Sequence, residues 1–212
     1  MAKTQDDYMV TLSYLLGERT VPQNGIEGRK QFIQDTLQEI YRAFPWPHAK
    51  TRQTLTVASG IASLPSTFDS QHKLEVYYTD NATDVNMEEI PETDRPAYQT
   101  GDNKYWIEAQ TDGTYHLKTK DTVTSIVATF QTKAPTVNAS ISSEVDDTMT
   151  VALGAKRYVK ASQDPNADIA PDEALFQKRL NENIAAVQVH RPTRKLKFAS
   201  RANGYRIGGG YE

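Results

Sequence analysis

The sequence predicts an α+β protein. A bundle of about four helices is drawn from both chain ends, an antiparallel β subdomain is inserted between them, and an extended arm closes the chain. Three observations carry this. Apolar residues recur at helical spacing in two segments before residue 45 and two beyond residue 147. The middle, about residues 51–137, alternates and is rich in β-branched residues, Thr above all. From His190 onward the periodicity stops, leaving Lys, Arg, Gly and scattered aromatics. Residues 1–189 are therefore read as one domain and residues 190–212 as the arm.

The first helix is expected over 7–16, with Asp6 and Asp7 suited to its positive end and Gly17 to its close. Val21-Pro22-Gln23-Asn24-Gly25 is a turn. The second helix, 28–44, places Ile33, Leu37, Ile40, Tyr41 and Phe44 on one face, and Pro45 and Pro47 stop it. Strands are expected over 51–57, 61–64 and 74–78. Residues 79–102 read as an irregular acidic loop containing Glu88, Glu89 and Glu92. Asp112-Gly113, between the alternating runs 105–109 and 115–119, signals a hairpin, and 122–130 is a further strand. Asp146 and Asp147 can cap a helix over 148–161. The fourth helix, 172–188, opens on Pro171-Asp172-Glu173 and aligns Leu175, Phe176, Leu180, Ile184 and Val187.

Composition narrows the function. Leu, Ile, Val and Phe number 42 of 212 residues, just under the ~20% below which chains tend to disorder. A net charge of −3 argues against disorder. The implied core is thin, as if partners complete it. The charge is uneven, +5 over 190–212 against −8 over the rest. Cysteine is absent, which excludes disulfides, thiolate zinc sites and cysteine nucleophiles. No run of ~18 apolar residues suggests a membrane span, and the N-terminus shows no secretory h-region.

Catalytic patterns are missing. There is no phosphate-binding glycine motif or GxSxG elbow, and His48, His72, His116 and His190 follow no ligand spacing. No catalytic, metal or cofactor residue is expected, and the protein is read as a non-enzyme. Tyr105, Trp106 and Tyr115 could line a carbohydrate-binding face, or pair across strands. The arm is the most informative segment. Its cations and aromatics interleave: Arg191, Arg194, Lys195, Lys197, Phe198, Arg201, Tyr205, Arg206 and Tyr211. That pattern suits a peptide laid into a protein groove, with rings in pockets and cations on acidic rims. A nucleic-acid arm would sit on a less acidic body.

Several stretches, taken in order, resemble the phage head-to-tail adaptors, the connector or head-completion proteins of the tail tubular protein A kind. They are the helix ending in Phe44-Pro45-Trp46-Pro47, then Leu64-Pro65-Ser66-Thr67-Phe68-Asp69, then Lys104-Tyr105-Trp106-Ile107-Glu108 with the Asp112-Gly113 hairpin. Val127 to Pro135 and the closing helix pair complete the series. The resemblance implies an adaptor domain over 1–189 and a homo-oligomeric ring, usually of 12 copies. The ring would sit in the virion neck after assembly in the host cytoplasm. The helices and the arm would grip the portal protein, the β region would meet a tail tube, nozzle or stopper protein, and genomic DNA would pass through the lumen without sequence-specific contacts. No membrane is involved. The alternative is a β-rich carbohydrate- or host-surface-binding module of a phage tail.

Overall fold

The computed structural model describes residues 2–19, 25–139 and 143–190. Four helices form one half of the molecule: α1 (Gln5–Leu15), α2 (Ile26–Ala43), α3 (Thr148–Gln163) and α4 (Ala170–His190). Each has a local cause. At α1, the Asp7 carboxylate accepts from the Thr4 amide (2.8 Å) and hydroxyl (3.0 Å). On α2, the face foreseen from spacing is the buried one, with Ile33, Leu37, Ile40 and Tyr41 turned inward. At α3, Asp147 caps the start by accepting from the amides of Met149 and Thr150. α4 runs through His190, taking in the first residue assigned to the arm.

α3 is the hub, packed against α1, α2 and α4. Small residues make this possible: Ala152, Gly154 and Ala155 are all buried. A β-carbon at Gly154 would overlap Thr36 Cγ2 and lie 3.0 Å from the Phe176 ring. The missing side chain therefore sets how closely α2 and α4 approach α3.

Seven strands make the other half: β1 (Lys50–Thr56), β2 (Ile61–Ser63), β3 (Glu75–Asp80), β4 (Thr83–Glu89), β5 (Lys104–Ala109), β6 (Tyr115–Thr119) and β7 (Ser125–Gln131). Their order is β1-β7-β3-β4-β5-β6-β2. Neighbours are antiparallel except β4 and β5, which are parallel. The two ends of the order, β1 and β2, contact each other, so the sheet curls into a nearly closed barrel. Ser59 and Gly60, both at positive φ, turn the chain from β1 into β2. The Gly60 carbonyl accepts from the Thr119 amide at 2.9 Å, and a β-carbon at Gly60 would strike the Thr119 carbonyl.

This overturns the expected bundle of helices with an inserted antiparallel β subdomain over 51–137. The β region is a mixed, seven-stranded, barrel-like sheet with a core of its own: Leu55, Phe68, Leu74, Val76, Tyr105, Leu117, Ile126 and Phe130. The deciding element is β4, which lies in the stretch read as an irregular acidic loop. Its apolar content is Val85 and Met87 at period two, set among outward acids, too short an alternation to stand out. Its turn from β3 is Asn81-Ala82, both left-handed (φ 47° and 65°), so the usual glycine signal is absent. β4 bridges β3 to β5 and thereby lets the sheet close.

The halves meet at a joint built by α2 and the ends of the β region. Gln34 of α2 donates from Nε2 to the Pro135 carbonyl (3.0 Å), and its Oε1 accepts from the Val137 amide (3.0 Å). The Trp46 indole is buried and donates from Nε1 to the Ile40 carbonyl (2.7 Å), locking the Phe44-Pro45-Trp46-Pro47 turn against its own helix. Phe68 is fully buried, edge-on to both Phe130 and Tyr115. Amides of Asp69 and Lys133 donate to the carbonyls of Gln131 and Thr67.

Candidate interaction site

The side chains with chemical potential are dispersed. Among the described residues no group of three or more His, Asp or Glu is placed to hold a metal. His48 lies at the joint, stacked on Trp46 (5.9 Å) and edge-on to Tyr41 (5.5 Å). Burial holds its pKa below the usual imidazole value, with the Glu144 charge opposing. His72 hydrogen-bonds through Nε2 to the Tyr41 carbonyl (3.1 Å). His116 lies across the β5–β6 ladder from Glu108. The side chain of His190 and all of residues 191–212 lie outside the described residues. That removes from view every arm position singled out in the sequence: Arg191, Arg194, Lys195, Lys197, Phe198, Arg201, Tyr205, Arg206 and Tyr211.

The acidic stretch is locally engaged. Glu88 pairs with Lys104, Glu92 lies 3.5 Å from Arg95, and Asp102 accepts from the Gln99 amide at 2.7 Å. Glu89 accepts from the Tyr105 hydroxyl at 3.4 Å. The three rings weighed as a carbohydrate face do not share one. Tyr105 and Trp106 are adjacent on β5, point to opposite sides of the sheet, and are 1% and 7% exposed. Tyr105 donates to the Leu74 carbonyl at 2.8 Å, and burial raises the pKa of its phenol. Tyr115 packs on Phe68 and accepts from the Ser70 hydroxyl (3.0 Å).

A groove that sequence reasoning missed lies in the helical half. It has a volume of about 440 Å³ and opens between the end of α2, residues 144–147 and the last turns of α4. Tyr8 secures its wall by donating to the Val145 carbonyl (2.8 Å), and burial pushes its phenol pKa up to about 12. Asp147 accepts from Thr150 Oγ1 (2.7 Å) and from Asn183 Nδ2 (3.0 Å) on α4. Burial works against the Asp147 carboxylate, yet these hydrogen bonds outweigh it and leave its pKa below the ordinary value. Asp146-Asp147 was visible in the sequence only as a helix start. The groove assembles from three distant segments, so spacing could not reveal it.

Some large apolar side chains among the described residues remain open. α1 exposes Val10 (62%) and Tyr14 (77%), one turn apart, and α4 exposes Leu175 (51%). The helical half is also crossed by a buried cation unforeseen from sequence. Arg157 pairs with Glu39 and Glu173 and lies over the Phe176 ring at 4.5 Å. No helix among the described residues is long and apolar enough to cross a membrane.

No protein-family model matches the chain, and no curated protein is significantly similar to it.

Proposed function

We propose that this chain is a structural adaptor of a phage virion neck, joining the portal to a tail component as a homo-oligomeric ring through which DNA passes. The observation that carries this reading is where the family-like stretches converge. Phe44-Pro45-Trp46-Pro47, Leu64 to Asp69 and the segment up to Pro135 are far apart in the chain. These three come to the joint between helices and barrel: Trp46 bonds back to Ile40 on the helical side, Phe68 packs on Phe130 and Lys133 bonds to Thr67 on the barrel side, and Gln34 to Pro135 ties the two together. Stretches that resemble an adaptor family in order thus also cooperate in space, in setting how one half is held on the other. The open apolar residues on α1 and α4 are consistent with surfaces covered by neighbouring subunits.

In this reading the helices and residues 190–212 engage the portal protein. The barrel faces the tail tube, nozzle or stopper protein. The residues that carry portal contact are the nine arm positions named above. Removing residues 190–212 tests it. The shortened chain is expected to keep its far-ultraviolet circular dichroism and lose binding to the portal of the same virus. Full-strength binding without the arm would overturn the arm's role.

A further inference from the structure

Trp106 is buried where a solvated side chain would be expected. It stands on the outward face of β5, opposite Lys118 of β6 and, one strand further, Ile61 of β2. It is nevertheless only 7% exposed. Its Nε1–H finds no hydrogen-bond partner among the described residues. An indole N–H taken out of water without a new acceptor loses its hydration and gains nothing in return. Trp46 shows the ordinary solution: it is 6% exposed and gives its N–H to the Ile40 carbonyl.

The chain passing over this face is a short strap. After β4 the Ile90 amide bonds to the Tyr105 carbonyl (2.9 Å), and the backbone then follows β5 as a 3-10 helix, Glu92–Ala97, packed against that strand. Beyond it Tyr98 is fastened, its carbonyl accepting from Lys120 Nζ and its ring lying under Lys104 at 5.4 Å. Both ends are thus tied down, and Ile90 is buried. Between them residues 91–97 are all exposed. Among the described residues their hydrogen bonds run only among themselves and to the Tyr98 amide, and the Arg95 ion pair with Glu92 is internal as well. One attraction reaches the barrel. Arg95 adds to the pull of Lys118 that holds the Glu108 carboxyl below its ordinary pKa, and Glu108 shares the face of Trp106. Pro91 and Pro96 stiffen the strap, so that it moves as one piece.

We infer that residues 91–97 are a lid on Trp106, swinging about Ile90 and Tyr98 while the barrel stays folded. Closed, the lid keeps water from the ring and leaves its donor unpaired. Open, it hydrates the donor and bares the row Trp106, Lys118 and Ile61. A segment with no buried side chain and no hydrogen bond to the sheet opens at far lower cost than the sheet beneath it. A protein segment presenting a backbone carbonyl beside an apolar side chain meets the open form alone, and so draws the lid off. The lid stands whether or not the chain binds a portal.

The chain's two tryptophans make the test direct. They give two indole N–H signals in a proton–nitrogen correlation spectrum of the full-length chain, and Trp106→Phe or Trp46→Phe assigns them by the signal it removes. The rings are equally buried, so hydrogen exchange compares a lid with a packed core. The Trp106 indole is expected to exchange about a hundredfold faster than that of Trp46, while the amides of the β5–β6 ladder stay protected. Arg95→Glu sets a like charge facing Glu108 and is expected to speed the Trp106 exchange about threefold, with Trp46 and the ladder unchanged. An unpaired indole under a fixed cover would not respond to that charge. A Trp106 indole as slow as that of Trp46, or one that Arg95→Glu leaves unmoved, would overturn the inference. Exchange of Trp106 in step with the ladder amides would also overturn it, because the opening would then be that of the whole barrel.

Discussion

Placing a methyl group at Gly154 tests the packing of the helical half. The site lies where α3 is sandwiched by α2 and α4. An alanine there gains about 1 kcal/mol of helix propensity over glycine. Its β-carbon would meet Thr36 Cγ2 inside van der Waals contact and the Phe176 ring at 3.0 Å. Neither neighbour yields easily. Both are fully buried, and the Thr36 rotamer is fixed by its hydroxyl donating to the Phe32 carbonyl at 2.8 Å. Overpacking of this kind costs about 1–3 kcal/mol, so Gly154→Ala should lose about 1 kcal/mol net. With a urea dependence of ~2 kcal/mol per molar, the midpoint should fall by about 0.5 M. The same substitution at Gly28, exposed in the first turn of α2 with open space around it, should instead raise stability by about 0.5 kcal/mol. Thr36→Ser, which deletes the clashing methyl and keeps the hydroxyl, should recover part of the Gly154→Ala loss. Urea unfolding followed by circular dichroism reads all three. A Gly154→Ala protein as stabilised as Gly28→Ala would refute the close approach of α2 and α4 across α3.

Ala82→Gly should stabilise by about 0.5–1 kcal/mol, because Ala82 holds a left-handed conformation (φ 65°) in the β3–β4 turn that glycine adopts without penalty; an unchanged or lower midpoint would count against that hairpin. Arg157→Met should cost about 2 kcal/mol, since it strips Glu39 and Glu173 of their shared cation, and their partial exposure keeps the loss below that of a fully buried pair; thermal unfolding measures it. Asp172 is buried, which works against its charge, but hydrogen bonds from Lys160 and Lys156 hold its pKa below the ordinary value. Asp7, Asp147 and Glu173 are depressed likewise. Depressed carboxylates lend stability above their unfolded pKa values, near 4, and withdraw it as pH falls through the folded ones. Urea midpoints should therefore be level from about pH 5 to 7 and drop below about pH 4, with Asp172→Asn lowering the plateau and softening the drop.

The helical elements were legible because their signals are local. The stripe Ile33, Leu37, Ile40, Tyr41 and Phe44 is buried as its spacing requires, and Phe44-Pro45-Trp46-Pro47 ends α2 where two prolines demand. The β5–β6 hairpin follows from Asp112-Gly113, with Gly113 left-handed and the Asp112 carboxylate accepting from the Thr114 amide. What escaped depends on long-range closure. β4 carries two inward apolar residues and a glycine-free turn, so its strand character becomes visible once β3 and β5 flank it. The parallel pairing of β4 with β5 and the meeting of β1 with β2 have no local signature at all. Nothing in the sequence around Arg157 marks it for burial. Its burial comes from Glu39, over a hundred residues away, and from Phe176 on the next helix. The groove was hidden for the same reason, since Trp46, Glu144 and Val187 share no sequence window.

The adaptor reading is tested most directly by the mass of the full-length chain in solution, alone and mixed with the portal of the same virus. It predicts a subunit that associates into a ring-sized complex on the portal. A chain that keeps its own mass beside the portal, with no complex formed at micromolar concentrations, would contradict it.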